Sequence, residues 1–236
     1  MEALFTPVRK EATREKVCEA IRSAIITGKL PVGERLPELR LTREFEVSRA
    51  VIREALQQLA YEGFVQLNIN RGAQVIDLTP QQVDEILSLR VVLESEAVEQ
   101  ARRRMSNDQR RMLRKMAAQV DASRSDMESF IPADVAFHRA IWKCSGNETL
   151  QRHLILLTAP MFSMGSIMRH SAMSAAAKPV RGASHVRLAE AILDGTVEEA
   201  RHAVRHHIAE NWDRTRTAVE TFHQGKQRKR PRSQSA

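Results

Sequence analysis

Apolar residues alternate with period two in one place along this chain: Phe64, Val65 and Leu67, then "NINRGA", then Val75 and Ile76. Such alternation marks half-buried strands, and two of them around an Asn/Arg/Gly tip make a hairpin. Everywhere else the apolar spacing is helical. The chain is therefore expected to be mainly α, with a single small β element near the end of its first third.

Three helices are predicted before the hairpin. Val17, Ile21, Ala24 and Ile25 share one face of a helix from Glu11 to Thr27, which Gly28 stops. "KLPVGERLPE" holds two prolines and a glycine and reads as a connecting loop. A short helix is expected from Glu38 to Phe45. Ser48 is placed to cap a third that runs to Glu62, with Val51, Ile52, Ala55, Leu56 and Leu59 on its inner face. After Thr79 the strands vanish. Pro80 opens a helix to Met105, Asn107 another to Ser125, and four more are expected over 129–144, 148–170, 181–194 and 197–221. The organisation expected is a winged helix-turn-helix over residues 1–77, an all-α six-helix bundle over 78–222 and a basic disordered tail over 223–236.

The net charge of +8 invites a nucleic-acid reading, but its location does not support one directly. Residues 1–77 carry 12 Lys/Arg against 11 Asp/Glu, whereas "KQRKRPR" alone holds five positive charges. The DNA-binding signal has to come from local pattern. Hydrophobic content of 42% with 28% charged residues suits a globular protein. No apolar run reaches the roughly 20 residues of a bilayer span, and the first residues lack the apolar stretch of a signal peptide. Two cysteines, Cys18 and Cys144, suit a reducing compartment, so a cytoplasmic location is expected.

In a winged helix-turn-helix the helix that begins at Ser48 enters the major groove by its N-terminal end. Ser48 and Arg49 are then candidates for phosphate or base contacts, and Arg53 stays on the same face one turn later. At the hairpin tip Arg71 and Gly72 allow close approach to the backbone or minor groove. A lone arginine is more often simply solvated. The order helix, turn, arginine-bearing helix and wing is what favours DNA.

"IITGKLPVGERLPELRLTREFEVSRAVIREALQQLAYEGFVQLNINRGAQV" also resembles the DNA-binding domain of the GntR superfamily of bacterial transcription regulators. The matching features are "GERL" at 33–36, "VSR" at 47–49, "REAL" at 53–56, "L-x-x-E-G-x-V" at 59–65 and "RGAxV" at 71–75. The resemblance implies DNA contacts at Ser48, Arg49, Arg53 and Gly72. Glu46 departs from it, standing where the family commonly has a turn glycine, as do Ala50-Val51 and Leu39.

In the second domain, "ADVAFHRAIWKCSGN" puts Asp134 and His138 one helical turn apart on one face. Alone, such a pair is ordinary on a wet helix. His185 adjoins the buried side of its helix, beside Leu188, Ala189 and Ile192. Between the neighbours His206 and His207 the helical rotation of about 100° per residue decides. His207 lies about 60° from Val204, and His206 about 160°, so His207 is the inward one. Three imidazoles and one carboxylate on three helices could surround a divalent cation. Neutral imidazole suits zinc, nickel, copper or iron, with zinc or nickel the foremost expectation.

The same region resembles the FCD domain of the FadR-like branch, with the six helices closest to its VanR-like subgroup. The resemblance rests on "LRVVLESEAV" at 89–98, "D-x-x-F-H-x-x-I" at 134–141, "SGN" at 145–147, "ASHVRLAEAILDG" at 183–195 and "A-x-x-A-V-R-x-H-I" at 200–208. It implies that Asp134, His138, His185 and His207 are metal ligands, and that water or a small carboxylate effector fills the remaining positions. Arg90 sits on the apolar stripe Val83, Ile86, Leu87, Leu93 and Ala97, where an arginine needs a partner. That partner is either an effector carboxylate or Glu94 one turn on. Asn211, beside His207, is a weaker pocket candidate.

The function expected is a homodimeric, ligand-responsive transcription regulator, a repressor in the first instance, reading a two-fold symmetric operator under control of a small organic acid. It is expected not to be an enzyme. The alternatives are a metal-dependent helical enzyme fused to a DNA-binding module, or a regulator whose metal is purely structural. Against the enzyme, no general base or nucleophile is placed beside the four ligands.

Overall fold

Helices account for most of the chain because nearly every apolar stripe has its ends marked in sequence. The structure, a computed structural model, describes residues 10–68, 72–170 and 185–228. It divides into two compact units, Met1–Asp77 and Leu78–Ala236.

The first unit holds α1 (Lys10–Ile26), β1 (Arg35–Leu36), α2 (Glu38–Phe45), α3 (Arg49–Tyr61), β2 (Val65–Asn68) and β3 (Gly72–Val75). The sheet is antiparallel in the order β1-β3-β2, with Val65 opposite Val75 and Leu36 opposite Ala73. The loop expected over "KLPVGERLPE" thus contains a strand. Two residues, closed off by Pro37, are too short to carry a period, and only pairing with β3 makes them β. Ile21 and Ile25 of α1, Leu36 of β1, Leu41 of α2 and Ile52 and Leu59 of α3 are almost fully buried and make the core. Arg22 of α1 donates through Nε and Nη2 to Glu62 just beyond α3, at 3.0 and 2.8 Å.

The turn between α2 and α3 passes through Glu46 at φ 53° and ψ 38°, the one non-glycine with positive φ among the described residues. A side chain there crowds the following carbonyl, which is why glycine suits such a turn. Ser48 then caps α3, its Oγ accepting from the Val51 amide at 3.4 Å.

The second unit contains, among the described residues, α4 (Pro80–Arg104), α5 (Asn107–Ala122), α6 (Met127–Cys144), α7 (Glu148–His170), α8 (His185–Asp194) and α9 (Val197–Arg228). Thr79 with Gln82 and Ser106 with Gln109 form reciprocal capping boxes that start α4 and α5. α4 lies against α6, α7 and α9. Phe137 and Trp142 of α6 and Leu154 of α7 have no exposed surface, and each such side chain contributes about 1.5–3 kcal/mol through burial. The cationic end of α4 ties down two neighbours: Arg102 donates to the carbonyls of Ala191, Ile192 and Gly195 at the end of α8, and Arg104 to that of Ser145 after α6. Cations on helix C-termini are favourably placed for the backbone dipole. α9 continues to Arg228, six residues into the segment expected to be a tail from 223, with Val219 still buried near its end. Residues 229–236 lie outside those described, as do 181–184, where α8 was expected to begin. Cys18 and Cys144 are buried free thiols. No described helix is long and apolar enough to cross a membrane.

Candidate functional site

Three helices of the second unit deliver polar groups to one place in its interior. Asp134 and His138 leave the same face of α6, His185 is the first residue of α8, and His207 lies midway along α9. One ligand atom from each falls within 4.8 Å of the other three. Donors held about 2.1 Å from a shared cation stand about 3.0 to 4.2 Å apart, so the cluster needs to close by only a few tenths of an ångström. The rings are mutually edge-on or tilted, with centroids 4.7 Å apart for His185 and His207 and 5.3 Å for His138 and His207. His138, His185 and His207 are buried, whereas the side chain of His206 is 59% exposed.

α4 supplies the surroundings. Its core stripe runs Val83, Leu87, Arg90, Glu94 and Ala97, so Glu94, and not Leu93, shares the buried line with Arg90. Arg90 donates through Nε to Glu94, its Nη2 lies 3.3 Å from His138 Nε2, and its guanidinium carbon sits 5.7 Å from the centre of the Phe162 ring. Glu94 also faces His138 Nδ1 at 3.1 Å. The partner of Arg90 in this structure is therefore Glu94, and the far edge of the guanidinium meets the histidine cluster. Asn211 lies on α9 one turn beyond His207, but its side chain is outside the described residues.

The electrostatics keep the two carboxylates ionised and His207 neutral. Burial alone would raise the Asp134 carboxyl, yet the hydrogen bond from His185 and the charges of His138, His185 and Arg90 bring it down to about 2. Burial likewise opposes ionisation of Glu94, and Arg90 and His138 outweigh it, holding that carboxyl well below its usual range. His207 is pushed well below its ordinary value by burial, with repulsion from His138 and His185 adding to the effect. An imidazole that stays neutral has its lone pair free for a metal. Three imidazoles, one ionised carboxylate and a partly closed, polar centre fit a divalent cation by donor chemistry as well as by spacing.

In the first unit Arg49, the first residue of α3, is exposed, as are Arg53 and Gln57 at successive turns of the same face. Arg53 is 62% exposed at its side chain and donates through Nε to both carboxylate oxygens of Glu38, at 3.1 and 2.9 Å. Ser48 is exposed too, its oxygen engaged with the Val51 amide while its hydroxyl hydrogen remains able to donate. Gly72 is exposed at φ 75° at the start of β3, where an added Cβ would meet open space but a strained backbone. Arg71 lies outside the described residues.

Two residues of the cluster's surroundings do not stand out in the sequence as part of it. Glu94 reads there only as a partner of Arg90, though its place on the buried stripe is a legible sign of a second task. Asp121 of α5 lies 3.0 Å from His185 Nδ1, a contact across 64 residues that no local pattern signals.

A model of the FCD domain matches residues 85–210, and a model of bacterial regulatory proteins of the gntR family matches residues 13–75. A probable D-xylose utilization operon transcriptional repressor from Paenarthrobacter nicotinovorans is 27% identical over 211 residues, 85% of this chain and 89% of that protein. The gluconate operon transcriptional repressor of Bacillus licheniformis is 35% identical over 136 residues, 56% of this chain and 55% of that protein. Among solved structures, E. coli McbR/YncC is similar with a TM-score of 0.62 at 21% identity, covering 89% of this chain and 98% of that one. The Paenarthrobacter and Bacillus relatives are named as transcriptional repressors, not as enzymes.

Proposed function

This chain belongs to the GntR family of bacterial regulatory proteins and carries an FCD domain, and on that premise we propose that it is a repressor controlled by a small organic acid. Residues 1–77 bind the operator, and residues 78–222 bind a divalent metal together with the acid and form the homodimer. The observation that carries this reading is the convergence of Asp134, His138, His185 and His207, with Arg90 at their edge. The relatives named as repressors of a D-xylose utilization operon and of a gluconate operon support the sign of control.

On the DNA side, a dimer presents two copies of α3 about 34 Å apart to a two-fold symmetric site. Arg49 and Arg53 reach base edges or phosphates, Ser48 donates to phosphate, and Arg71 and Gly72 form the wing's contact. On the effector side, a divalent ion, zinc or nickel, supplies open coordination positions for a carboxylate. Arg90 adds donors beside them, and Asn211 adds a polar group to the same wall. The acid acts by binding one state of the protein more tightly than the other, which lowers operator affinity.

Elemental analysis of protein purified without chelator, with mass spectrometry of any co-purifying acid, tests the effector half. About one divalent ion per chain is expected, and metal-free protein with all four residues intact would overturn the site. For the DNA half, Arg49→Ala should weaken specific operator binding by about 1–3 kcal/mol, roughly 5- to 150-fold, with an unchanged thermal midpoint. Undiminished operator affinity would remove α3 from the recognition role.

A further inference from the structure

The histidines of α6 and α8 each have one ring nitrogen turned away from the cluster and against a carboxylate that is not one of the four clustered groups. His138 Nδ1 lies 3.1 Å from Glu94 Oε2, and His185 Nδ1 lies 3.0 Å from Asp121 Oδ1. The hydrogen positions follow from the partners. A guanidinium can only donate, so His138 Nε2, 3.3 Å from Arg90 Nη2, is an acceptor and Nδ1 carries the hydrogen toward Glu94. A carboxylate can only accept, so His185 Nδ1 directs a hydrogen at Asp121 and Nε2 directs one at Asp134 Oδ1, 2.7 Å away; a bound cation would take the place of the Nε2 hydrogen and leave the Nδ1 hydrogen on Asp121.

We propose that Glu94 and Asp121 are the positioning residues of the metal centre: by holding the Nδ1 hydrogens they fix His138 and His185 as Nε2 ligands. This rests on the metal reading above. A carboxylate behind a ligating imidazole fixes its tautomer and orientation and raises its basicity. Glu94 is itself held by Arg90, and Asp121 by Arg124 Nη2 at 2.7 Å, so neither carboxylate swings freely.

Asp121 has a second task that ties the ligand to the fold. Its Oδ1 accepts from the backbone N–H of His185 at 3.0 Å, and its Oδ2 from that of Val186 at 3.2 Å. These are the first amides of α8, which have no partner within their own helix. One carboxylate on α5 thus caps α8 from a distance and orients the ring of its first residue. Where α8 starts and where the His185 ligand atom points are set by the same group.

The test is titration of the full-length chain with Zn2+ alone, in competition with a chromophoric chelator. Glu94→Gln and Asp121→Asn should bind about 10- to 100-fold more weakly than the unsubstituted protein. Their helical circular dichroism should be retained. Folded variants with undiminished affinity would overturn the proposal. The single Asn side-chain oxygen can still accept from one of the two α8 amides, so Asp121→Ala should lower the thermal midpoint further than Asp121→Asn. Equal midpoints would remove the capping role. If Glu94→Gln fails to fold, long-range 15N–1H spectra of the chelator-treated, unsubstituted protein decide. They should show hydrogen on Nδ1 of both His138 and His185, and a ring carrying it on Nε2 alone would overturn the assignment. Should the unsubstituted chain take up no Zn2+ while both Nδ1 hydrogens are present, the metal reading itself fails and the two carboxylates are structural.

Discussion

Each unit contains an arginine joined to a glutamate, and the two pairs lie in opposite environments. Arg53 and Glu38 pair on the surface of the first unit, with side chains 62% and 35% exposed. Arg90 and Glu94 pair inside the second, at 7% and 2%. Water screens the first pair and leaves the arginine able to exchange its partner for a phosphate or a base edge. The second pair has lost its water, so each charge depends on the other and on His138. The same two residue types stay open to water in one place and hold a fixed architecture in the other.

Arg90→Ala is the most direct way to break this contrast. It leaves Glu94 buried opposite His138 alone and should cost the second unit about 3–5 kcal/mol, read as a lower denaturant midpoint. A loss below about 1 kcal/mol would mean that water reaches Glu94. Acid sharpens the same point. The carboxyls of Glu94 and Asp134 are held below their unfolded values, so the stability they add is complete above roughly pH 4.5 and is lost as pH falls toward the folded values. Metal-free protein should therefore weaken on acidification below about pH 4.5, and Glu94→Gln should lessen that dependence. Glu46→Gly separates backbone from charge in the first unit. Relieving a left-handed non-glycine should stabilise that unit by about 1 kcal/mol, seen as a thermal midpoint a few degrees higher. Arg53→Ala should change stability least, by roughly 0.2–1 kcal/mol, while operator affinity falls. A stability loss as large as that of Arg90→Ala would erase the distinction between the two pairs.

Much of this fold is written in short-range pattern. The capping sequences at Thr79 and Ser106, the stop at Gly28 and the alternation around the wing all act within a few residues, so the helices of both units could be placed from sequence. The same holds for the inward turn of His207, which needs only helical rotation and its neighbours Val204 and Ile208. What escaped reading is long-range. β1 exists because β3 lies beside it, and Asp121 matters because α5 brings it to α8 across 64 positions. Glu94 is an intermediate case. Its spacing from Leu87 and Arg90 marks it as buried, but its contact with His138 depends on how α4 packs against α6.

The spread of the clustered residues along the chain also fixes an order of events at the ribosome. Asp134 and His138 emerge first, and His207 follows Asp134 by 73 positions, which at about 5–20 residues per second takes roughly 4 to 15 seconds. Until His185 follows, 51 positions after Asp134, the nascent chain offers any passing ion only an aspartate and histidine one turn apart, a grip shared with countless surface helices. The full set of donors comes together only after α9 has docked. On the metal reading, the order of the sequence alone keeps the complete set of ligands from forming on an unfinished chain.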